Sequence, residues 1–481
     1  MQSTAIRNDR ATQTRTADSR RAEAALVKPH DAPGPAGLLT GLKLIRPSTA
    51  LGYLRDTFNR YGDVVKYRFG PLPVYLVAHP DGVKHILQDN HTNYRKSQDY
   101  AFLKILLGEG LVTSEGALWL RQRRLIQPAF HKQRIEGFSR IMIDETLEML
   151  DSWEKLAAEG TPVDVQREMM RVTLKIVGKA LLSIDLTNEA DAVGAAMKTA
   201  NERFEHFDLA MFVPFLPTRR NREFNAAVNS LKSLVDGIIA VRRRENRDYG
   251  DLLSMLLAVR DEETGEGMSD RQLRDEILTL ILAGHETTAT ALSWTFHLLT
   301  QHSGVRDKLE TELHEVIGGR PPSFGDLRNL TYTGMVIDES MRLYPPVWAI
   351  GRSPIEDDEV GGIRLPKKSM LMLSQYVTHR HPAFWDEPDR FDPERFSAER
   401  SQDRPRYAFF PFAGGPRQCI GNIFALTEAN LILAAVAQQF RLHAVPGHPI
   451  ELQPLVTLRP RYGIKVTLEK IGGQRQARGA A

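Results

Sequence analysis

The stretch of sequence that decides the fold is Phe412-Ala-Gly-Gly-Pro-Arg-Gln-Cys419-Ile-Gly421, which precedes an apolar helical pattern extending to about Gln439. It holds the single cysteine of the 481-residue chain, so no internal disulfide can form, as is typical of a reducing compartment. Its glycines let the backbone approach a flat ligand closely. We interpret this stretch as a loop that presents Cys419 to a bound group.

Cys419 is predicted to be a metal ligand. A position at the start of a helix and the nearby charge of Arg417 should both favour the thiolate by lowering the pKa of the thiol. A thiolate beside a flat apolar space suits a metalloporphyrin, since thiolate ligation favours cleavage of the O–O bond. The alternative is a buried free cysteine acting as a small hydrophobic residue. The surrounding glycines and arginine favour the ligand.

A second candidate site lies in the middle of the longest predicted helix, which begins after the N-cap residue Ser269. Ala283-Gly-His-Glu-Thr-Thr288 places a glycine and a carboxylate in an apolar helix, and each lowers stability. Such local penalties often mark function. We expect Gly284 to widen the helix locally, and Glu286 with Thr287 to pass protons towards dioxygen. A helix face turned to internal water is the alternative.

Three shorter motifs are weak when each is taken alone, and one of them, Phe391–Phe396, indicates by itself only a turn and a helix start. Glu339 and Arg342, three residues apart on a helix, form either an exposed pair or, together with Arg395, a buried network. Trp119 and Arg123 stand four residues apart on one helix face. The indole N–H and the guanidinium can together hold a carboxylate.

In their order along the chain and in their spacing, the five motifs resemble those of the cytochrome P450 superfamily, and the resemblance covers about residues 35–470. The cysteine loop matches F-x-x-G-x-R-x-C-x-G, and the others match A-G-x-E-T-T, E-x-x-R, P-E-R-F (Phe391–Phe396) and W-x-x-x-R. The resemblance implies a mainly α fold with a small β-rich portion, in which a long central helix lies over one haem b. It also implies that Cys419 ligates the iron.

The resemblance assigns roles to the other residues. Glu286 and Thr287 become a proton-delivery pair, whereas Glu339, Arg342 and Arg395 become a structural network. The residues expected to bind the haem are Cys419, Trp119, Arg123, Arg352, Phe412, Gly415, Arg417, Ala283 and Gly421. Further apolar candidates for the cavity lie within residues 204–215. The residues expected to contact the substrate are Phe102, Leu103, Leu106, Val347, Trp348, Ile350 and Val456.

Composition and charge limit the other classes of function. Hydrophobic residues make up 42% of the chain and charged residues 26%, as in ordinary globular proteins. The net charge of +3 is matched by the excess in residues 1–30, so nothing demands nucleic acid or an anionic membrane. We expect a monomeric cytoplasmic protein without a membrane anchor. Its expected parts are a disordered basic tail (1–35), a single catalytic domain (36–470) and a flexible tail (471–481).

The function implied is that of a haem-thiolate monooxygenase. It would activate O2 with two electrons from a separate ferredoxin or flavodoxin and its reductase, and hydroxylate or epoxidise an apolar fatty acid, terpenoid, steroid or polyketide. Residues 119–134 contain five Lys/Arg and no acid, so they are a candidate docking site for an acidic donor. Arg417 stands where many soluble bacterial members have histidine, so the loop resembles the microsomal-type branch. The alternatives are a peroxide-driven haem hydroxylase and a haem-based sensor or carrier without turnover.

Overall fold

Helices dominate the computed structural model, which describes residues 30–186 and 218–471. The α-helices are α1 Ala50–Tyr61, α2 Pro80–Lys84, α3 Tyr100–Leu107, α4 Gly116–Ile126, α5 Lys132–Glu159, α6 Val165–Leu182, α7 Arg219–Glu245, α8 Leu252–Ala258, α9 Asp270–Gln301, α10 Ser303–Val316, α11 Thr331–Leu343, α12 Gln375–Thr378, α13 Ala398–Ser401 and α14 Asn422–Gln439. Shorter helical turns are Thr40–Ile45, His85–Asp89, His91–Asn93, Gln127–Phe130, Phe324–Asp326, Pro393–Phe396, Arg406–Ala408 and Gly415–Arg417.

The strands are short and form a minor part of the fold. They are β1 Val64–Phe69, β2 Leu72–Val77, β3 Tyr94–Arg95, β4 Val163–Asp164, β5 Ile350–Pro354, β6 Asp358–Val360, β7 Ile363–Leu365, β8 Met370–Leu373, β9 Phe440–Ala444, β10 Leu452–Pro454, β11 Leu458–Pro460 and β12 Lys465–Lys470. The largest sheet has the order β1-β2-β8-β5-β3, with only the β2–β8 pair parallel. The order β4-β12-β9 forms a second sheet, and β10–β11 and β6–β7 are hairpins. The predicted mainly α architecture is confirmed.

Helix α9 is the longest of the described helices. Its N-cap is Ser269, as predicted, whose hydroxyl oxygen accepts a hydrogen bond from the backbone N–H of Gln272 at 3.3 Å. At about 1.5 Å per residue, its 32 residues span about 48 Å. Its middle and C-terminal parts are buried almost all round, and it contacts α6, α7, α11 and α14. The helix therefore crosses the molecule and brings its central residues to the interior.

The largest hydrophobic cluster lies between α5, α6, α9, α11 and α14. Trp153 and Trp294 are fully buried in it, and so is the apolar middle of α14 from Leu431 to Val436. Each large apolar side chain buried in this way contributes about 1.5–3 kcal/mol. The cluster fixes α14, and with it the end of the cysteine loop. Within residues 30–186 and 218–471, no helix combines the length and the apolarity needed to cross a bilayer.

The loop between α3 and α4 is set tightly against α9. The backbone N–H of Leu111 donates to the Glu276 carboxylate at 2.9 Å. Gly108 has a φ of +61°, and a Cβ there would overlap the carboxylate of Asp275. A Cβ on Gly110 would come within 2.6 Å of the Asp275 carbonyl oxygen. The two glycines are therefore required by the close approach of this loop to the central helix.

The first described residues, His30 to Gly34, pass between the β6–β7 hairpin and the β1–β2 hairpin. The backbone N–H of His30 donates to Gly362 O at 3.1 Å, and Lys66 N–H donates to Pro33 O at 2.8 Å. These bonds make His30 to Gly34 part of the folded unit, whereas the sequence placed them in the tail. Ile471, the first residue of the predicted C-terminal tail, donates its N–H to Gln439 O at 2.8 Å, and residues 1–29 and 472–481 of the predicted tails lie outside the described residues.

Candidate active site

The cysteine loop, residues 412–421, is a compact turn that ends just before α14. The backbone N–H of Cys419 donates to Phe412 O at 3.0 Å, which closes the turn. Gly415 has a φ of +65°, and a Cβ there would overlap the carbonyl oxygen of Leu87. The predicted close approach at Gly415 is therefore an approach to the protein backbone. Phe412 lies at the edge of the largest core, and Gly421 lies beside Phe130.

The side chain of Cys419 is accessible, yet burial raises the pKa of its thiol. The sulfur is thus open to a ligand although protein atoms surround it on the other sides. The N–H of Gly421 and the charge of Arg123 lower the thiol pKa, but by less than burial raises it. The predicted net lowering of the thiol pKa is wrong: Gly421, the N-cap of α14, does lower it, but burial raises it by more, and the charge that lowers it comes from Arg123, whereas Arg417 was predicted. A metal cation beside the sulfur would supply the positive charge that a buried thiolate needs.

Arg417 lies over the ring of Trp119, 4.5 Å from its centroid, and forms an ion pair with Glu115. Burial lowers the pKa of Arg417. Its Nη1 atom is buried and makes no hydrogen bond to any described residue. An arginine nitrogen without an acceptor is costly to bury, so the site calls for an additional acceptor such as a ligand carboxylate.

Lys96 joins this group, although the sequence analysis did not single it out. Its Nζ donates to the carbonyl oxygens of Leu111 and Ser114 at 3.1 and 2.7 Å. Burial, followed by the charges of Arg417 and Arg352, lowers the pKa of Lys96 to about 7. Lys96 precedes α3 in the chain and is far from the cysteine loop in sequence, so no local motif marks it.

The residues present fit a haem. We define the cation cluster as Lys96, Arg123, Arg352 and Arg417, and two carboxylates, Glu115 and Asp99, lie beside it. The group carries more basic than acidic side chains, which suits the carboxylates of the haem propionates. Arg352 is only 5% exposed, and Arg123 donates to Gln418 O at 2.8 Å. The thiol supplies a soft donor for iron.

The middle of α9 departs from the prediction in its backbone. The helix is continuous and regular from Asp270 to Gln301, so the predicted widening at Gly284 is wrong. Gly284 instead lies against α6, where a Cβ would be 3.3 Å from Val177 Cγ2. The Ala283 carbonyl oxygen accepts a hydrogen bond from the Thr287 hydroxyl at 2.7 Å. Ala283 itself is accessible although the residues before it are buried.

Glu286 is buried and turns towards the C-terminal strands. Its Oε1 accepts a hydrogen bond from the Thr457 hydroxyl at 2.8 Å, and Arg459 Nε lies 3.8 Å from the same oxygen. Adjacent residues on a helix point about 100° apart. Glu286 and Thr287 therefore face different neighbours, and the carboxylate is held away from the Thr287 hydroxyl.

The structure brings Glu339, Arg342 and Arg395 together, as the resemblance implied. Arg342 and Glu339 are fully buried and form a two-point ion pair with N–O distances of 2.6 and 2.8 Å. Arg395 Nε lies 3.4 Å from Glu339. All five N–H groups of Arg342 are used, because the remaining three donate to the carbonyl oxygens of His379, Pro388 and Arg390.

The predicted substrate residues divide into two groups. Leu106 and Ile350 belong to core contacts, and the Trp348 indole N–H donates to Leu455 O at 2.9 Å, so Trp348 anchors the β10–β11 hairpin. Leu106 is buried, whereas Trp348 and Ile350 are half-buried and leave part of their side chains open. Residues 204–215 lie outside the described ranges. Four predicted positions are half-buried or exposed: Phe102, Leu103, Val347 and Val456.

Comparison with known proteins decides the family. The family model described as Cytochrome P450 matches residues 33–468. The chain belongs to the cytochrome P450 family. The fold is similar to the crystal structure of the cytochrome P450DA heme domain, with a TM-score of 0.84 and 25% identity. That match covers 92% of this chain and 98% of the other. The predicted P450 fold is confirmed.

Curated relatives confirm the predicted class of enzyme. The chain is 39% identical over 435 residues to Cyclooctatin synthase from Streptomyces melanosporofaciens, covering 88% of this chain and 92% of that protein. It is 36% identical to Cyclooctat-9-en-7-ol 5-monooxygenase of the same organism, covering 80% and 84%. It is 34% identical to Pentalenene oxygenase from Streptomyces avermitilis, covering 84% and 90%. This P450 is a monooxygenase, which implies haem, O2, an electron donor and a small-molecule substrate.

Residues 119–134, the predicted docking stretch of this P450, leave fewer basic side chains available to a partner than the sequence suggests. Arg121 donates to the carbonyl oxygens of Glu266 and Gly267. Arg124 forms ion pairs with residues 261 and 263, and Arg123 belongs to the cation cluster. These arginines are engaged within the protein. The remaining two basic side chains are exposed: Lys132 and Arg134.

Glu428 of α14 is a second residue that sequence reasoning missed. It is fully buried, and neither carboxyl oxygen makes a hydrogen bond to a described residue. Burial raises its pKa to about 8, and the nearby Thr288 hydroxyl lowers it by less. The signal in the sequence is a single acid within the apolar pattern that follows the cysteine loop. At neutral pH this P450 therefore holds Glu428 mainly in its protonated form.

Replacing Glu428 with glutamine should remove a pH dependence of stability. The folded-state pKa of about 8 lies above the ordinary value of 4.5, so Glu428 destabilises the wild type progressively as pH rises between those values. The slope is about 1.4 kcal/mol per pH unit. Urea unfolding from pH 5 to 8 should show this loss in the wild type relative to Glu428→Gln. Glu315→Gln, at an exposed position, is the control. If the free energy of unfolding changed with pH in the same way in the wild type and in Glu428→Gln, the prediction would be contradicted.

Proposed function

We propose that this P450 hydroxylates or epoxidises a terpenoid. The observation that carries the chemistry is the fit of Cys419 and the cation cluster to a thiolate-ligated haem. The relatives narrow the substrate, because three of them carry the names cyclooctatin synthase, cyclooctat-9-en-7-ol monooxygenase and pentalenene oxygenase. Of the four substrate classes that the sequence leaves open, the relatives favour terpenoids over fatty acids, steroids and polyketides. Half-buried apolar residues such as Leu103 and Val347 are suited to such a guest.

The proposed cofactor is haem b, held through its iron by Cys419 and through its propionates by the cation cluster. When bound, the haem supplies the activation of dioxygen, which thiolate ligation favours. Thr287 holds a proton at its hydroxyl, which in the folded chain donates to the Ala283 carbonyl. Glu286 is the acid that replenishes that proton, once its carboxylate turns from Thr457 towards Thr287.

The electron donor is proposed to be a separate ferredoxin or flavodoxin with its reductase, and the protein a cytoplasmic monomer. Lys132 and Arg134 are the basic residues of the predicted docking stretch that remain exposed to an acidic partner. The single cysteine is compatible with a reducing compartment. The acid–alcohol pair on α9 favours a reaction driven by O2 over the peroxide-driven hydroxylase and over a sensor or carrier.

The test uses haem-loaded protein with ferredoxin, reductase and NADPH, offered matched panels of cyclic terpenes and fatty acids. We expect a product one oxygen heavier from at least one cyclic terpene hydrocarbon or alcohol. In Thr287→Ala, product formed per NADPH should fall at least about tenfold while peroxide rises, because proton delivery is lost. Thr290→Ala, also on α9 and buried, should retain the wild-type ratio.

Each alternative has its own outcome. Product from fatty acids alone would overturn the terpenoid assignment. Equal rates with hydrogen peroxide alone, without the donor proteins, would favour the peroxide-driven hydroxylase. Ligand binding without product under either electron source would favour the sensor or carrier. An unchanged product ratio in Thr287→Ala would remove the proposed role of that hydroxyl.

A further inference from the structure

The turn between β10 and β11 is fixed on both of its sides. The indole N–H of Trp348 donates to Leu455 O at 2.9 Å, on the side of β10. The indole N–H of Trp294, from α9, donates to Leu458 O at 2.7 Å, and Leu458 N–H donates to Pro346 O at 2.9 Å. Only Val456 and Thr457 lie between these anchors, and Leu455 N–H donates to Thr457 O at 3.1 Å, so the tip is a closed turn whose residues move together.

The two residues of the tip have opposite surroundings. Val456 is 37% exposed, whereas Thr457 is 3% exposed and donates its hydroxyl to Glu286 at 2.8 Å. Val456 is also the tip residue that the sequence predicts to contact the substrate. Because consecutive Cα atoms are about 3.8 Å apart, Val456 cannot move far without moving Thr457. The same short segment thus joins a predicted substrate contact to the acid on α9.

Glu286 depends on the tip for its position. It is buried, and burying a carboxylate without partners is costly, so the Thr457 hydroxyl and Arg459 at 3.8 Å keep it in place. In this position the carboxylate faces the strands, while the Thr287 hydroxyl faces the Ala283 carbonyl. For the acid to serve Thr287, its bond to Thr457 has to be given up.

We propose that Thr457 is a positioning residue for Glu286, and that the hairpin tip couples occupation of the substrate cavity to release of that carboxylate. A substrate that displaces Val456 weakens the Thr457–Glu286 bond and frees the acid to turn towards Thr287. Without substrate the bond keeps the acid away, which limits wasteful consumption of electrons. This inference rests on the proposed function, because it takes Glu286 as the proton source and Val456 as a substrate contact.

The first test measures the bond without any turnover. Free energies of unfolding are measured for Thr457→Val, Glu286→Gln and the double variant. If the hydrogen bond contributes to stability, the change in the unfolding equilibrium constant of the double variant should differ from the product of the two single changes by at least about tenfold. Thr457→Ser, which keeps the hydroxyl, should behave like the wild type. Thr295→Val is the matched control, because its buried hydroxyl bonds Ala291 O at 2.8 Å on its own helix. Multiplicative effects for Thr457 would overturn the proposal.

The second test measures the coupling. NADPH consumption and peroxide are recorded without substrate and with the terpene that gives product. The wild type should consume NADPH faster with substrate, and in Thr457→Val this dependence should fall by about tenfold through a rise in the substrate-free rate. Thr457→Ser should restore it, and Thr295→Val should leave it unchanged. If NADPH consumption in Thr457→Val depended on substrate as strongly as it does in the wild type, the proposed coupling would be wrong.

The two proposals fail separately. If Thr287→Ala diverts electrons to peroxide while Thr457→Val does not alter the substrate dependence, only the coupling through the tip is wrong. If Thr287→Ala has no effect but the unfolding cycle still links Thr457 to Glu286, the bond exists and the proposed proton pathway is wrong. In the second case the positioning role of Thr457 in catalysis falls as well.

Discussion

Replacing Cys419 with serine is expected to abolish the strongly red-shifted Soret band of the dithionite-reduced, carbon-monoxide-treated protein. Cys419 is the only cysteine, so no other thiolate can take its place. Oxygenation should fall by more than the roughly 100-fold loss that follows from mutating a residue which merely supports a metal ligand. The measurements are the optical difference spectrum and product formation at equal haem content.

The control for this substitution is Ile423→Ala. Ile423 lies four residues further along the chain, in the first turn of α14, and is 43% exposed. It should keep both the red-shifted band and product formation. A red-shifted band that persists in Cys419→Ser would mean that the iron is held elsewhere, and the haem site argued from the cysteine loop would be wrong.

Replacing Arg342 with lysine should lower the free energy of unfolding by up to about 3–5 kcal/mol, the cost of breaking a buried ion pair, because the ammonium cannot take the place of the guanidinium against the Glu339 carboxylate. Lysine has three donors on a flexible stem and cannot reproduce the planar two-point contact with Glu339. The three carbonyl oxygens that accept from Arg342 would also lose donors. Denaturant unfolding followed by circular dichroism measures the change.

Two further variants separate the buried network from a general effect of charge. Arg390→Ala removes an exposed ion pair with Glu387 and should change stability by less than about 1 kcal/mol. The double variant Glu339→Leu with Arg342→Leu should be more stable than Arg342→Lys, since it removes both charges together. A loss in Arg342→Lys as small as that in Arg390→Ala would contradict a structural role for the network.

The parts of the site that could be predicted from the sequence are those set by local spacing. The loop around Cys419, the pair Glu339–Arg342 and the N-cap of α9 each depend on residues within a few positions of one another. Their geometry follows from turn and helix periodicity. Arg395 could be added because the family motif supplied the long-range connection that spacing alone does not give.

The parts that could not be predicted depend on contacts between distant segments. Gly415 is fixed by the carbonyl of Leu87, and Trp348 by the carbonyl of Leu455, neither of which a local pattern reveals. Lys96 joins the cation cluster only after the chain has folded. The pKa of Cys419 is raised because burial outweighs nearby charges, and burial is a property of the whole fold.

The loop that follows α3 has a consequence for how this enzyme can diversify. Gly108 and Gly110 lie so close to α9 that any side chain at either position would collide with Asp275. Substitution is therefore strongly disfavoured at these two positions. If Phe102 and Leu103 contact the substrate as predicted, their exchange on the helix before this loop is the route by which new substrate preferences arise, in natural selection or in a directed-evolution library.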